Sequence, residues 1–241
     1  ILDWSVTGVQ TCALPICRAR RGASACREGD RLSGARAPML VIFDCDGVLV
    51  DSEPIASRVL AEALSEIGFP LTAQQAIDRY TGISVGAVLA RVEAEWGRRL
   101  PADFAALLGE RDRAAFAAEL QPVSGVVEML AGLDLPRCVA SSGSIEKIRS
   151  NLRITGLLPY LEPHLFSATM VARGKPAPDL FLHAAAMMAV PPARCVVVED
   201  SLAGVRAARA AGMRVFGFHG GGHARPDAAA EIGRASCRER V

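Results

Sequence analysis

The chain has 241 residues, 51% of them apolar, and a formal net charge of +1; that suffices for a sizeable core and suits one large domain or a domain carrying an insertion. No run approaches 18 uncharged apolar residues and the start lacks the order of regions of a secretory leader, so a cytoplasmic protein with no membrane partner is expected. Seven cysteines, an odd number at irregular spacing, are expected to be reduced thiols rather than a disulfide framework.

Charge is unevenly spread. Residues 1–38 hold six Arg against three acids and residues 231–241 three Arg against two Glu, which leaves about −3 for residues 39–230. The basic ends carry no Lys and no interleaved aromatics, so nucleic acid is not expected as a partner. Ser5–Ile16 and Glu231–Val241 resemble translated sequencing adapter, and residues 1–38 and 231–241 are read as non-native or disordered tails, with Met39 as the start of the folded part. Cys12 and Arg18 have the C-x5-R spacing of a cysteine phosphatase, but no glycine-rich cradle lies between them. Cys45 has Asp51 where that spacing needs Arg.

The first strand-like run is Val41, Ile42 and Phe43, followed by Asp44, Asp46 and the turn residue Gly47. Side-chain alternation along a strand puts Asp44 and Asp46 on one side, where two like charges call for a cation or a shared proton. From Pro54 the period becomes helical, with Ile55, Val59, Leu60, Ala63, Leu64 and Ile67 on one face and Gly68 as the stop. Helices follow at about 73–80, 84–97 and 101–119. With no strand among them, residues 53–120 are expected to form an inserted helical bundle that returns near Gln121 and Pro122.

Beyond it, helix and strand alternate. Helices are expected at about 123–133, from Ser144 with Ile145, Ile148 and Leu152 inward, at 178–188, and at 201–211 up to Gly212. Strands are expected at 137–141, 165–168, 195–199 and 213–218. That order predicts an α/β fold with a parallel sheet and right-handed crossovers, whose ligands bind beyond the carboxyl ends of the strands.

Those ends are polar. They carry Asp44 and Asp46; Ser141, Ser142 and Gly143; Lys175 in G-K-P-A-P-D; and Glu199, Asp200 and Ser201. Each group alone has an ordinary explanation as a cap, a solvated lysine or a helix-start acid. Assembled, the acids suit Mg²⁺, while the lysine and helix-start amides suit phosphate oxygens.

At this point residues 39–226 resemble the haloacid dehalogenase superfamily, in the branch whose helical cap follows the first strand. The likeness rests on D-x-D-G-V-L-V-D-S-E at 44–53, V-A-S-S-G at 139–143, G-K-P-x-P at 174–178 and V-V-E-D-S-x-A-G at 197–204. It implies a Rossmann-like core (39–52 and 121–230) with a cap at 53–120. It also implies Asp44 as the nucleophile that forms an aspartyl-phosphate, and Asp46 as the acid and base. Ser141 and Lys175 would hold the phosphoryl group, with Ser142 and Gly143 beside them. Mg²⁺ would bind Asp44, the Asp46 backbone carbonyl, Asp200 and Glu199, the last directly or through water. Gly82, in the cap loop Tyr80–Gly86, would help select substrate.

Asp46 favours phosphate chemistry over dehalogenation within that likeness. A small phosphorylated sugar or sugar acid and a monomer are expected. The alternatives are a β-phosphoglucomutase-like mutase, which would have His twelve residues after the nucleophile where this chain has Ala56, and a silent or truncated phosphate-binding module. His219 and His223 are read as loop residues bordering the site, without a third ligand for a metal. Asp51–Glu53 is read as the hinge of the cap.

Overall fold

The computed structural model describes residues 39–220; both adapter-like tails and His223 lie outside the described residues. Its strands are β1 (Leu40–Phe43), β2 (Arg137–Ser141), β3 (Leu165–Ser167), β4 (Cys195–Glu199) and β5 (Arg214–Gly217). They form one parallel sheet in the order β3-β2-β1-β4-β5. β1 is central, with Phe43 level with Val139 on one side and Val198 on the other. All four β1 residues are buried, as the strands of a sheet covered on both faces must be.

Alternation divides the core in two. Leu40, Ile42, Cys138, Ala140, Cys195 and Val197 pack on one face with Leu180, Phe181 and Ala184 of α8 (Asp179–Met187) and Val205 and Ala208 of α9 (Leu202–Ala210). Val41, Phe43 and Val139 pack on the other with Val126 and Leu130 of α5 (Val126–Gly132) and Ile148 and Leu152 of α6 (Ile145–Ile154). At roughly 25 cal/mol per Å² of apolar surface, these clusters are the main term holding the sheet between its helices.

Between β1 and α5 stand α1 (Glu53–Glu66), α2 (Ala73–Tyr80), α3 (Val85–Trp96) and α4 (Phe104–Glu119). They share a separate core of Leu60, Leu64, Phe69, Tyr80, Val92, Phe104 and Leu108. Thr72 and Gln75 start α2 with a reciprocal capping box, and Gly97 closes α3 in the left-handed region at φ +69°. The chain enters and leaves this layer side by side, since Asp51 N donates to Gln121 O (3.0 Å) and Val123 N to Leu49 O (2.9 Å).

Two local readings change. α5 begins at Val126, not 123, because Gly125, at φ +80°, interrupts the helical backbone just before it. A four-residue helix, α7 (Leu158–Leu161), too short to show a period, precedes β3. Cys45, Cys138 and Cys195 are buried free thiols, as expected; the other four cysteines lie outside the described residues. No helix among the described residues is long and apolar enough to cross a membrane.

Candidate active site

A cavity of about 620 Å³ opens where the carboxyl ends of the strands face α1–α4. Asp44, Asp46, Ser141, Ser142, Gly143, Lys175, Glu199, Asp200 and Gly82 all line it, so the fold brings these nine candidate residues together. His219 lines it too.

Lys175 is the inner anchor. Its Nζ donates to Asp44 Oδ1 at 2.7 Å and to Glu199 Oε1 at 2.6 Å, and lies 5.1 Å from the centre of the Phe181 ring. The Lys175 side chain is 4% exposed and that of Glu199 is fully buried. Glu199 Oε2 accepts from Ser201 N (2.7 Å) and Ser201 Oγ (2.9 Å), and Ser201 Oγ accepts from Gly204 N, which starts α9. A Cβ at position 204 would overlap the Glu199 carboxylate, so glycine is required there by packing.

One carboxylate oxygen each from Asp44, Glu199 and Asp200 lie within 4.8 Å of one another. Asp44 and Glu199 share Lys175, and Asp200 brings a third carboxylate to the same group of oxygens. Burial pushes the Asp44 carboxyl well up, and Glu199 and Asp200 push it the same way against Lys175. Burial opposes the Lys175 charge, but Asp44 and Glu199 outweigh it and hold the ammonium. This donor set fits a hard divalent cation, which takes carboxylate oxygens and relieves that repulsion.

Asp46 is held separately. β1 ends at Phe43 and Gly47 turns the chain at φ +79°, so strand alternation does not extend to position 46. Its carboxylate accepts from Ser52 Oγ (2.7 Å), Lys147 Nζ (2.8 Å) and Asn151 Nδ2 (3.4 Å). Burial pushes this carboxyl up, but Lys147 and Ser52 prevail and hold it below the usual carboxylate range. Each aspartate thus bonds a different lysine within the one cavity.

Ser141 is 1% exposed and its Oγ accepts from Gly143 N at 3.2 Å, while Gly143 O accepts from Ser167 Oγ at 2.6 Å. Ser144 caps α6 by accepting from Lys147 N. Gly82, at φ +75°, sits where a Cβ would come 3.8 Å from Ser201 Cβ, so the loop between α2 and α3 meets the start of α9.

Sequence reasoning missed Lys147, Asn151 and Asp112. The first two stand one turn apart on α6, directly after a cap that was legible, so one face of that helix was the available signal. Asp112 lies on α4, and nothing in its local sequence pointed to the cavity.

The sequence profile of haloacid dehalogenase-like hydrolases matches residues 38–212. The chain belongs to the haloacid dehalogenase-like hydrolases. It is 35% identical over 187 residues to 6-phosphogluconate phosphatase of Escherichia coli, covering 77% of this chain and 85% of that one. Among solved structures, a haloacid dehalogenase-like protein of unknown function from Agrobacterium tumefaciens superposes with a TM-score of 0.77 at 40% identity, over 84% of this chain and 92% of the other. A hydrolase of the same family from Deinococcus radiodurans, with bound phosphate and sodium, superposes with a TM-score of 0.71 at 35% identity, over 84% and 90%.

Proposed function

We propose that this haloacid dehalogenase-like hydrolase is a Mg²⁺-dependent phosphomonoesterase that acts on a small sugar phosphate or sugar-acid phosphate through an aspartyl-phosphate on Asp44. The observation that carries the proposal is the strand-end arrangement. Asp44 is set against Lys175 beside Glu199 and Asp200, and Asp46 stands in the same cavity on donors of its own.

In this reading Asp44 attacks phosphorus and the P–O bond to the leaving group breaks; Asp46 gives that oxygen its proton. Water then attacks the aspartyl-phosphate, Asp46 takes the water's proton, and phosphate leaves with Asp44 restored. The donors around Asp46 keep it ionised without substrate, and an arriving phosphate dianion raises it so that it holds the proton it must give. Lys175 and the Ser141–Gly143 turn bind the phosphoryl oxygens. Mg²⁺, held by Asp44, Asp200, the Asp46 backbone carbonyl and Glu199, supplies charge neutralisation when bound.

The helical layer, residues 53–120, serves as the cap over a core of residues 39–52 and 121–230, with Gly82 at its contact with the core and Asp51–Glu53 as hinge. The phosphatase relative and the phosphate in the Deinococcus structure support the reaction class. A mutase needs a second basic clamp. Among the described lining residues the cap contributes Glu53, Asp78 and Asp112 and no Lys or Arg, which favours hydrolysis.

The test is phosphate release from a panel of sugar phosphates with Mg²⁺. Activity is expected to vanish with EDTA and to fall at least about 10³-fold in Asp44→Asn, as when a covalent nucleophile is removed. Undiminished activity in either case overturns the mechanism, and an isomerised sugar phosphate in place of free phosphate establishes the mutase.

A further inference from the structure

The helical layer gives the cavity an apolar wall that the phosphoryl chemistry does not use. Leu60 of α1, Ile77 of α2, Ile83 of the loop after it, Val85 and Val88 of α3, and Leu108 of α4 all line it. Leu60, Val88 and Leu108 are buried in the core of that layer, whereas Ile83 is 39% and Val85 53% exposed. Ser84 between them is extended, at φ −63° and ψ 146°, which turns the side chains of its two neighbours to the same side. The backbone here is held: Ile83 N donates to Tyr80 O at 3.2 Å, and Ser84 Oγ caps α3 by accepting from Ala87 N. Two large aliphatic side chains thus stand together at the cavity on a fixed turn.

The polar groups around that wall have partners within the protein. Thr81 Oγ1 donates to Ile77 O at 2.8 Å, Tyr80 OH to Glu95, and Gln74 Nε2 to Asp78. Glu53 is partnered too, and the Lys147 and Arg113 cations act on Asp112. None of these charges stands alone, so the feature left to select a leaving group is apolar area. An apolar face laid on Ile83 and Val85 takes their aliphatic surface out of water, while a hydroxyl turned to them gives up its water and gains no bond.

We propose that Ile83 and Val85 are specificity-determining residues that receive an apolar face of the leaving group, so that the protein hydrolyses phosphomonoesters of alcohols with a ring or alkyl face. The assignment rests on the phosphomonoesterase reading and carries its substrate class beyond sugars.

The experiment compares kcat and KM of the full chain, with Mg²⁺, on benzyl phosphate, methyl phosphate and glucose 6-phosphate. Benzyl and methyl alcohol are leaving groups of similar acidity, so their difference reads contact rather than bond breaking. The wild type is expected to favour benzyl over methyl phosphate by about 10-fold or more in kcat/KM, on the scale of a few buried methylenes. Ile83→Ser combined with Val85→Ser should lower kcat/KM on benzyl phosphate by about 10-fold, mainly through KM, and leave methyl phosphate within about 2-fold. Ile83→Leu, which keeps the apolar surface, should retain most of the benzyl activity.

Equal losses on benzyl and methyl phosphate in the double variant would mark a purely structural role and overturn the assignment. So would no loss on benzyl phosphate, a wild type that does not separate benzyl from methyl, or a loss on glucose 6-phosphate as large as that on benzyl phosphate. Phosphate release from none of the three substrates would overturn the hydrolase reading and this assignment with it, whereas release without dependence on Ile83 and Val85 overturns this assignment alone.

Discussion

Lys175 and Lys147 each hold one aspartate of the same short motif, but in different surroundings. Lys175 is 4% exposed and joins Asp44 to the fully buried Glu199, which Ser201 and the packing against Gly204 fix in turn. Lys147 is 42% exposed and reaches Asp46 from the first turn of α6, where water and the cap side of the cavity are close. In the inner cluster Lys175 is the cation for both Asp44 and Glu199, so it cannot leave without stranding two carboxylates in low dielectric. On the outer side solvent can replace a lost partner. In the proposed mechanism the nucleophile thus stands in the cluster least tolerant of substitution.

The sharpest way to break that contrast is to remove each lysine. Lys175→Met should cost about 3–5 kcal/mol in urea unfolding at pH 7, because it leaves Asp44 and Glu199 buried without their cation. Adding Glu199→Gln should recover part of the loss. Lys147→Met should cost less, about 1–2 kcal/mol, because Lys147 is 42% exposed and Asp46, 18% exposed, keeps Ser52 and Asn151 as donors. Equal costs would erase the distinction between the two regions.

A smaller effect is expected from Gly204→Ala, which adds one methyl against the Glu199 carboxylate. Overpacking of this kind costs about 1–3 kcal/mol. The displaced Glu199 should also weaken Mg²⁺ binding measured by calorimetry. Unchanged affinity would show that Glu199 does not support the metal.

The smallest effect sharpens the outer side. Asp112 binds its proton more tightly in the folded chain, up to about pH 6, than in the unfolded one. Stability from this group is thus fully present below the ordinary carboxylate range, declines as pH rises toward 6, and stays lost above. After discounting for its partial exposure, the decline is about 1–2 kcal/mol. Asp112→Asn should therefore gain stability relative to the wild type at pH 8 but not at pH 3.5, as read from paired unfolding curves.

Much of this site was legible before the fold was known, because its parts sit at strand ends that announce themselves locally. The apolar run of β1 stops at Asp44; β2 runs into Ser141–Gly143; β4 runs into Glu199–Ser201; Ser144 caps α6 as expected, and Ser201, expected as the first residue of its helix, caps it instead. A parallel sheet then has to gather these ends at one edge. Asp44 and Asp46 do line one cavity, although β1 ends at Phe43 and Gly47 turns the chain, so alternation along the strand does not itself account for position 46. The start of α5 is displaced by the left-handed turn at Gly125, and α7 is too short to show a period.

The sequence by itself determined which residues end the strands, where the helical layer is inserted, and which acids, lysine and hydroxyls meet at the sheet edge, because period, caps and turns are local properties. The tertiary structure alone decided that Asp44 answers to Lys175 and Asp46 to Lys147, Ser52 and Asn151, that Gly204 makes room for Glu199, and that Asp112 faces the cavity from α4. Those are distances between residues far apart in the chain, set by how helices pack on a sheet and on one another, and no local pattern encodes them.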